Sequence, residues 1–266
     1  MTSVFDFEKR SVIDAVRAQR HRTIALLEDL TEEQWETEVL PRWRVREVAA
    51  HLVTTDASSL MGSVLARRQL PISDVETWND EKVPQWADRS VPTLINGLDR
   101  WGRRLSRALA LSPAFVLKRK LPTKFGRVSP LWLGMLRVYD EWVHGEDVRR
   151  GLELPADDRD DSVGPAARFL FAGIPLQTLP EIPSDATGTV ALSFTDLDFP
   201  SMNIDLGTKR YGIGLNADTQ IRGPAASLIM VAARRDPWRG AEAAGDLRVT
   251  GDRKAAETLL DVLEVV

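Results

Sequence analysis

The chain contains three histidines and no cysteine, and two of the histidines, His51 and His144, stand inside strongly helical patterns. Asp140 precedes His144 by four residues. Four residues along an α-helix turn a side chain by only about 40°, so Asp140 and His144 project from one face and can share one ion. Imidazole nitrogen and carboxylate oxygen both suit zinc and similar divalent metals, and three protein ligands with an open fourth position is the arrangement of catalytic sites. His51, on a different helix, is the third candidate, since metal sites in helix bundles are made from side chains converging from facing helices. Glu141, three residues before His144, competes with Asp140 for the carboxylate place. Plainer readings of the same residues are a core histidine bonded to a neighbour, and an Asp-x-x-x-His pair bonded along its own helix.

The elements that must position these residues follow from apolar spacing and capping signals. Val12, Ile13, Val16, Ile24, Leu26 and Leu27 predict an amphipathic helix from Val4 to about Leu30. Thr31 through Gln34 has the form of a capping box and predicts a short new turn. A second helix runs from about Arg44 to Arg68 and carries His51, and Gln69 to Arg89, with two prolines, reads as a long connection. Ser90 before Val91-Pro92 opens a third helix to near Ser112. Phe115 to Val128 reads as a short hairpin. Ser129-Pro130 repeats the cap-then-proline signal and opens a fourth helix that ends at Gly151. Trp35, Trp43 and Trp142 read as bundle core.

Four such helices predict a metal-binding four-helix bundle over residues 1–152. Residues 153–266 then open with an acidic, proline-containing linker, Pro155 to Ser162. Here a helix at Val163 to Gly173, strand-like runs at Thr189–Phe194, Asn203–Leu206, Tyr211–Leu215 and Leu247–Thr250, a helix opened by Gly223-Pro224 and a final helix capped by Asp252 predict a small α+β domain with a mainly antiparallel sheet. The expected fold class is therefore α+β in two domains.

A formal charge of -4 and a pI near 5.6 argue against a general nucleic-acid binder. The one basic cluster, Lys118, Arg119 and Lys120 with Lys124 and Arg127, reads as a solvated hairpin face. Gly212-x-Gly214 lacks the rest of a dinucleotide fingerprint. Without a signal pattern in MTSVFDFEKR, an apolar run of about 20 residues or any cysteine, no membrane contact is expected and a cytoplasmic location is.

Leu30 to Trp35, followed by Trp43 to Leu52, resembles the N-terminal signature of the mycothiol-dependent maleylpyruvate isomerase family, whose bundle belongs to a DinB-like group, and Asp140 to Arg149 resembles its second signature. Weaker likeness continues through Ile221 to Arg234 and Gly251-Asp252, similar to the family's sterol-carrier-like C-terminal domain. The resemblance implies that His51, Asp140 and His144 hold a divalent metal, usually zinc, with aspartate where some members have glutamate. It implies mycothiol as the thiol cosubstrate, which fits a chain with no thiol of its own, because a metal can hold an incoming thiol as the nucleophilic thiolate. It further places Arg234 as an arginine reaching toward a substrate carboxylate. A helix-end arginine bonded to terminal carbonyls is the plainer reading of Arg234. Trp78 stands before Asn79-Asp80 where some relatives have arginine, which points to a less charged substrate than maleylpyruvate.

The expected function is metal-dependent activation of a low-molecular-weight thiol, mycothiol, for isomerisation of an unsaturated acid or S-transfer to an electrophile. The partners are then a small-molecule substrate and the thiol, in a monomer or homodimer. A non-catalytic small-ligand-binding protein and a thiol-independent metal hydrolase are the alternatives.

Overall fold

The computed structural model describes residues 6–64, 75–213 and 217–265, with the side chains of 58–64 and 75–80 left aside. Leu65–Arg68 at the end of the expected second helix, the first part of the expected connection, and Gly214 and Leu215 lie outside the described residues. The chain divides into two compact units, Phe7–Asp157 and Asp158–Val266, with Asp6 belonging to the second.

In the first unit the long helices are α1 (Lys9–Glu28), α3 (Val45–Val64), α5 (Val91–Leu111) and α7 (Pro130–Gly151). They pack as a closed ring, α1 on α7 and α5, and α3 on α5 and α7, which is the four-helix bundle. The start of α7 is locally encoded, whereas Ser90, expected to cap α5, makes no side-chain cap there. Ser129 Oγ accepts from Trp132 N at 3.2 Å, with Pro130 in the first turn of α7. The capping box expected at Thr31 is complete: Thr31 Oγ1 accepts from Gln34 N at 3.3 Å and Gln34 Oε1 accepts from Thr31 N at 2.9 Å, opening the short α2 (Glu32–Trp35).

Two small hairpins and two further helices complete the described part of the unit. β1 (Glu38–Leu40) and β2 (Trp43–Arg44) form a hairpin whose turn residue Arg42 is left-handed, φ 68°. This hairpin was not apparent in the sequence. Val75–Ala87, expected within a connection, is the helix α4, whose Val83 and Ala87 join Val48, Ala49, Leu52 and Val53 of α3 in one core, with Trp86 packed against it. Pro84 obscures the signal by interrupting the polar pattern, yet a proline removes one donor without preventing its own carbonyl from accepting, here from Asp88 N. The expected hairpin at Phe115–Val128 begins later, with the short helix α6 (Ala114–Lys118) ahead of β3 (Leu121–Thr123) and β4 (Gly126–Val128).

The second unit opens with α8 (Asp160–Gln177), so the last three residues of the acidic stretch form a helical turn. Its sheet runs β7 (Arg210–Ile213), β6 (Met202–Asp205), β5 (Thr189–Phe194), β8 (Thr219–Gly223) and β9 (Arg248–Thr250) in spatial order. All pairs are antiparallel except β5 with β8, which is parallel. The helices α9 (Ala225–Ala232), α10 (Trp238–Ala244) and α11 (Arg253–Val262) complete it. Asp252 caps α11 as expected, accepting from Lys254 N at 2.9 Å, whereas the first free amide of α9, on Ala225, is met by Asp196 at 2.9 Å, from just beyond the neighbouring strand β5. The α+β class and the mainly antiparallel sheet agree with the expectation.

Two glycines of α7 should respond oppositely to alanine. A Cβ on Gly151 would overlap Val39 of β1, whereas one on Gly145 would meet nothing within 4 Å. Gly151→Ala is expected to destabilise by about 1–3 kcal/mol through overpacking, and Gly145→Ala to stabilise by about 0.5–1 kcal/mol through helix propensity. Chemical denaturation of both variants checks the pair, and shifts of the same sign would contradict it.

Candidate metal centre

α7 presents Arg137, Asp140, Glu141, His144 and Asp147 at steps of three and four, a stripe that in an ordinary bundle helix would be apolar. His51 projects from α3, and the stripe brings Asp140 and His144 to meet it. One ligand atom from each of His51, Asp140 and His144 lies within 4.8 Å of the others. His51 Nε2 is 3.6 Å from Asp140 Oδ2, and His144 Nε2 is 3.9 Å from Asp140 Oδ1. Both gaps exceed a hydrogen bond. They are close to the spacing of about 3.3–3.5 Å that tetrahedral zinc, with bonds of about 2.0–2.2 Å, sets between neighbouring donors. The imidazole rings lie 4.8 Å apart, edge to face.

The other ring nitrogen of His144, Nδ1, is 2.9 Å from Asp147 Oδ2, a buried carboxylate. Such a bond fixes the tautomer and leaves Nε2 as the lone-pair nitrogen, as in metal-bound histidines. His51 is buried, and burial pushes its pKa below the ordinary value of 6.5 against the opposing pull of Asp140. It is therefore a neutral imidazole at neutral pH, the form that ligates. Burial also works against ionisation of Asp140, but Arg137 beside it outweighs this and holds the carboxyl well below the usual carboxylate range. Two imidazoles and a carboxylate make a donor set that fits a divalent cation of zinc type.

Behind the donors lies a buried set of charges in which Arg20, Asp56 and Arg137, not expected from the sequence, join Asp140 and Glu141. Arg137 donates from Nη1 to Asp140 Oδ2 at 2.6 Å and from Nε to Asp56 Oδ1 at 2.9 Å. The second oxygen of Asp56 accepts from Arg20 Nη2 at 2.5 Å, and Arg20 also grips Glu141 through Nε at 2.9 Å and Nη2 at 2.8 Å. Burial would pull protons off both arginines, yet the carboxylates around them outweigh it and raise both pKa values. Glu141 is thus engaged by Arg20, away from the histidines. Arg20 reaches its partners past Gly102, where a Cβ would sit 3.0 Å from its Cγ.

Trp43, expected as core, is half-buried and does something more specific. Its ring lies 5.2 Å from that of His51 and is stacked at 6.0 Å on that of His144. The β1–β2 hairpin holds it there, with Arg44 bonded to Glu47 and to Glu36, each at 2.6 Å. Trp35 and Trp142 are core residues. Arg234 belongs to the second unit, where it takes a left-handed backbone after α9, donates to Asp261 O at 3.1 Å and faces Glu264 at 3.6 Å. His21 is on the exposed side of α1.

Residues 16–149 match the model of the mycothiol maleylpyruvate isomerase N-terminal domain. The chain belongs to this family. The match spans α1 to α7 and so contains His51, Asp140 and His144. Two solved structures are similar over nearly the whole chain: a mycothiol-dependent maleylpyruvate isomerase (TM-score 0.64) and a histidine-to-alanine mutant of it (TM-score 0.65). Each is 14% identical and covers 95% of this chain and 97% of that one, a likeness of fold. A sterol carrier protein 2 like protein of Aedes aegypti reaches a TM-score of 0.27 over 32% of the chain, and no weight rests on it. No curated protein matches. The family is one of enzymes, and an isomerase is the activity it supports. Among the described residues no helix is long and apolar enough to cross a membrane.

Because His51 is held below its ordinary pKa, the unfolded chain binds the proton more tightly than the folded one. Its contribution to stability is complete above pH 6.5 and declines as the pH falls toward the folded value; Asp140, also depressed, acts in the same sense below its ordinary 3.8. The unfolding free energy of metal-free protein is expected to fall below pH 6.5 with a slope of at most about 1.4 kcal/mol per pH unit from His51. His51→Gln should flatten that limb in urea titrations across pH, and an unchanged slope would refute the assignment.

Proposed function

We propose that this chain is a metal-dependent isomerase that uses mycothiol to rearrange an unsaturated acid, with His51, Asp140 and His144 as the metal ligands. The observation that carries the reading is the convergence of two imidazoles and one carboxylate, from two helices, inside the region that matches the family. Zinc is the metal that this donor set suits best. The bundle of residues 1–152 would carry the metal and the α+β domain of 153–266 would serve it as an accessory.

When bound, the divalent cation supplies Lewis acidity that holds a thiol as thiolate at neutral pH. The chain's own residues prepare for it. Asp147 keeps the His144 proton on Nδ1 and so keeps Nε2 free to ligate. Burial keeps His51 unprotonated, and Arg137 keeps Asp140 charged. Trp43 covers the imidazole faces with an apolar ring and limits the approach of water from that side. With no cysteine in the chain, the nucleophilic sulfur comes from the cosubstrate. A thiolate that adds to an activated double bond, lets the former double bond rotate, and leaves again gives isomerisation with no net change in atoms.

The purified protein is expected to contain close to one equivalent of zinc by elemental analysis, and His51→Ala and His144→Ala to lose nearly all of it. Turnover of cis unsaturated dicarboxylic and keto acids should require added mycothiol. A thiol that stays attached to product would make the activity S-transfer. Turnover without thiol would point to hydrolysis by the metal site, and a stable, metal-free wild type would leave a ligand-binding protein.

A further inference from the structure

Asp140 and Glu141 are adjacent carboxylates on α7, and side-chain reach alone does not decide which one joins the histidines. The buried charges form a ring that does. From Asp140 it passes to Arg137 on the same helix, to Asp56 on α3, to Arg20 on α1, and back to Glu141, the covalent neighbour of Asp140. We propose that this ring selects the metal's carboxylate ligand: Arg20 withdraws Glu141 and Arg137 presents Asp140, with Asp56 as the post to which both arginines are fixed. The inference rests on the metal reading above and makes Arg20, Asp56 and Arg137 positioning residues.

Each link has a geometric reason. Arg137 spends two different nitrogens on two carboxylates, so its guanidinium plane is fixed by Asp56 and hands that orientation on to Asp140. Asp56 is completely buried and gives one oxygen to each arginine, so neither arginine can turn without displacing the other. Arg20 donates twice to the carboxylate of Glu141 and so occupies both of its oxygens. Only arginine has a planar fork that can do this; lysine keeps the charge but can hold no plane. The four charges of Arg20, Arg137, Asp56 and Glu141 cancel, so Asp140 is the surplus anion of the ring and faces the imidazoles.

The test compares wild type with Arg137→Lys and Asp56→Asn, and with Val12→Ala as a destabilised control. Val12 is a core residue eight positions before Arg20, about 12 Å along α1. Zinc affinity is measured by competition with a chromogenic chelator, and coordination by the visible spectrum of cobalt-loaded protein; circular dichroism verifies folding. Arg137→Lys and Asp56→Asn are expected to lose about 10–100-fold in zinc affinity and to change the cobalt spectrum, whereas Val12→Ala keeps both. Should Asp56→Asn fail to fold, Arg137→Lys decides. Folded Arg137→Lys with wild-type affinity and spectrum overturns the proposal, as does an equal loss in Val12→Ala. A wild type that takes up neither metal refutes the metal reading itself, a result distinct from either.

Discussion

A carboxylate inside a helix bundle stays ionised only where neighbouring positive charge outweighs its lost hydration, and Asp140 meets that condition through Arg137. The rest of the bundle interior is arranged around this one ion pair. Arg137 is itself buried and needs Asp56; Asp56 needs a second cation and has Arg20; Arg20 in turn engages Glu141. Breaking one member of such a buried set leaves its partner uncompensated, at a cost of about 3–5 kcal/mol. An apolar core would be cheaper to build, so the ring is understood best as a device for holding Asp140 where it is.

Asp140 and Asp147 approach His144 from its two ring nitrogens. On the proposed metal reading, uptake of the ion and folding of the bundle would be coupled, because ligands assembled from two helices exist as a site only in the folded chain. The pairing of Trp43 with both imidazoles would extend that coupling to the β1–β2 hairpin, whose register is irregular between Glu38 and Leu40.

Much of this was legible in the residues. The four long helices follow from apolar spacing, helped in α7 by the Ser129 cap, which are local signals, and the meeting of His51 with Asp140 and His144 follows from helix period and family resemblance together. The ring was not legible, because Arg20 and Asp56 occupy core positions that a search for apolar periodicity passes over. The usable signal was their very misplacement: Arg20 continues the stripe Val12, Val16, and Asp56 the stripe His51, Leu52, where a bundle wants apolar side chains. α4 was missed because Pro84 reads as a breaker, and β8 because alternation over five residues is too short to stand out beside the Gly223-Pro224 signal that follows it. The cap of α9 by Asp196 lies beyond local inspection altogether, since the two are brought together only by the sheet.

The position of β8 has a bearing on how the chain matures. β5 pairs with β6 on one side and with β8 on the other, and β8 follows β5 by some thirty residues. During synthesis, β5, β6 and β7 can emerge and zip up as a meander while the far edge of β5, with its run Thr189–Phe194, is still open. An open apolar edge is what recruits strangers. The interval before Thr219–Gly223 leaves the ribosome is therefore the time at which a nascent copy is most exposed to pairing with another, and slow translation of that stretch would lengthen it.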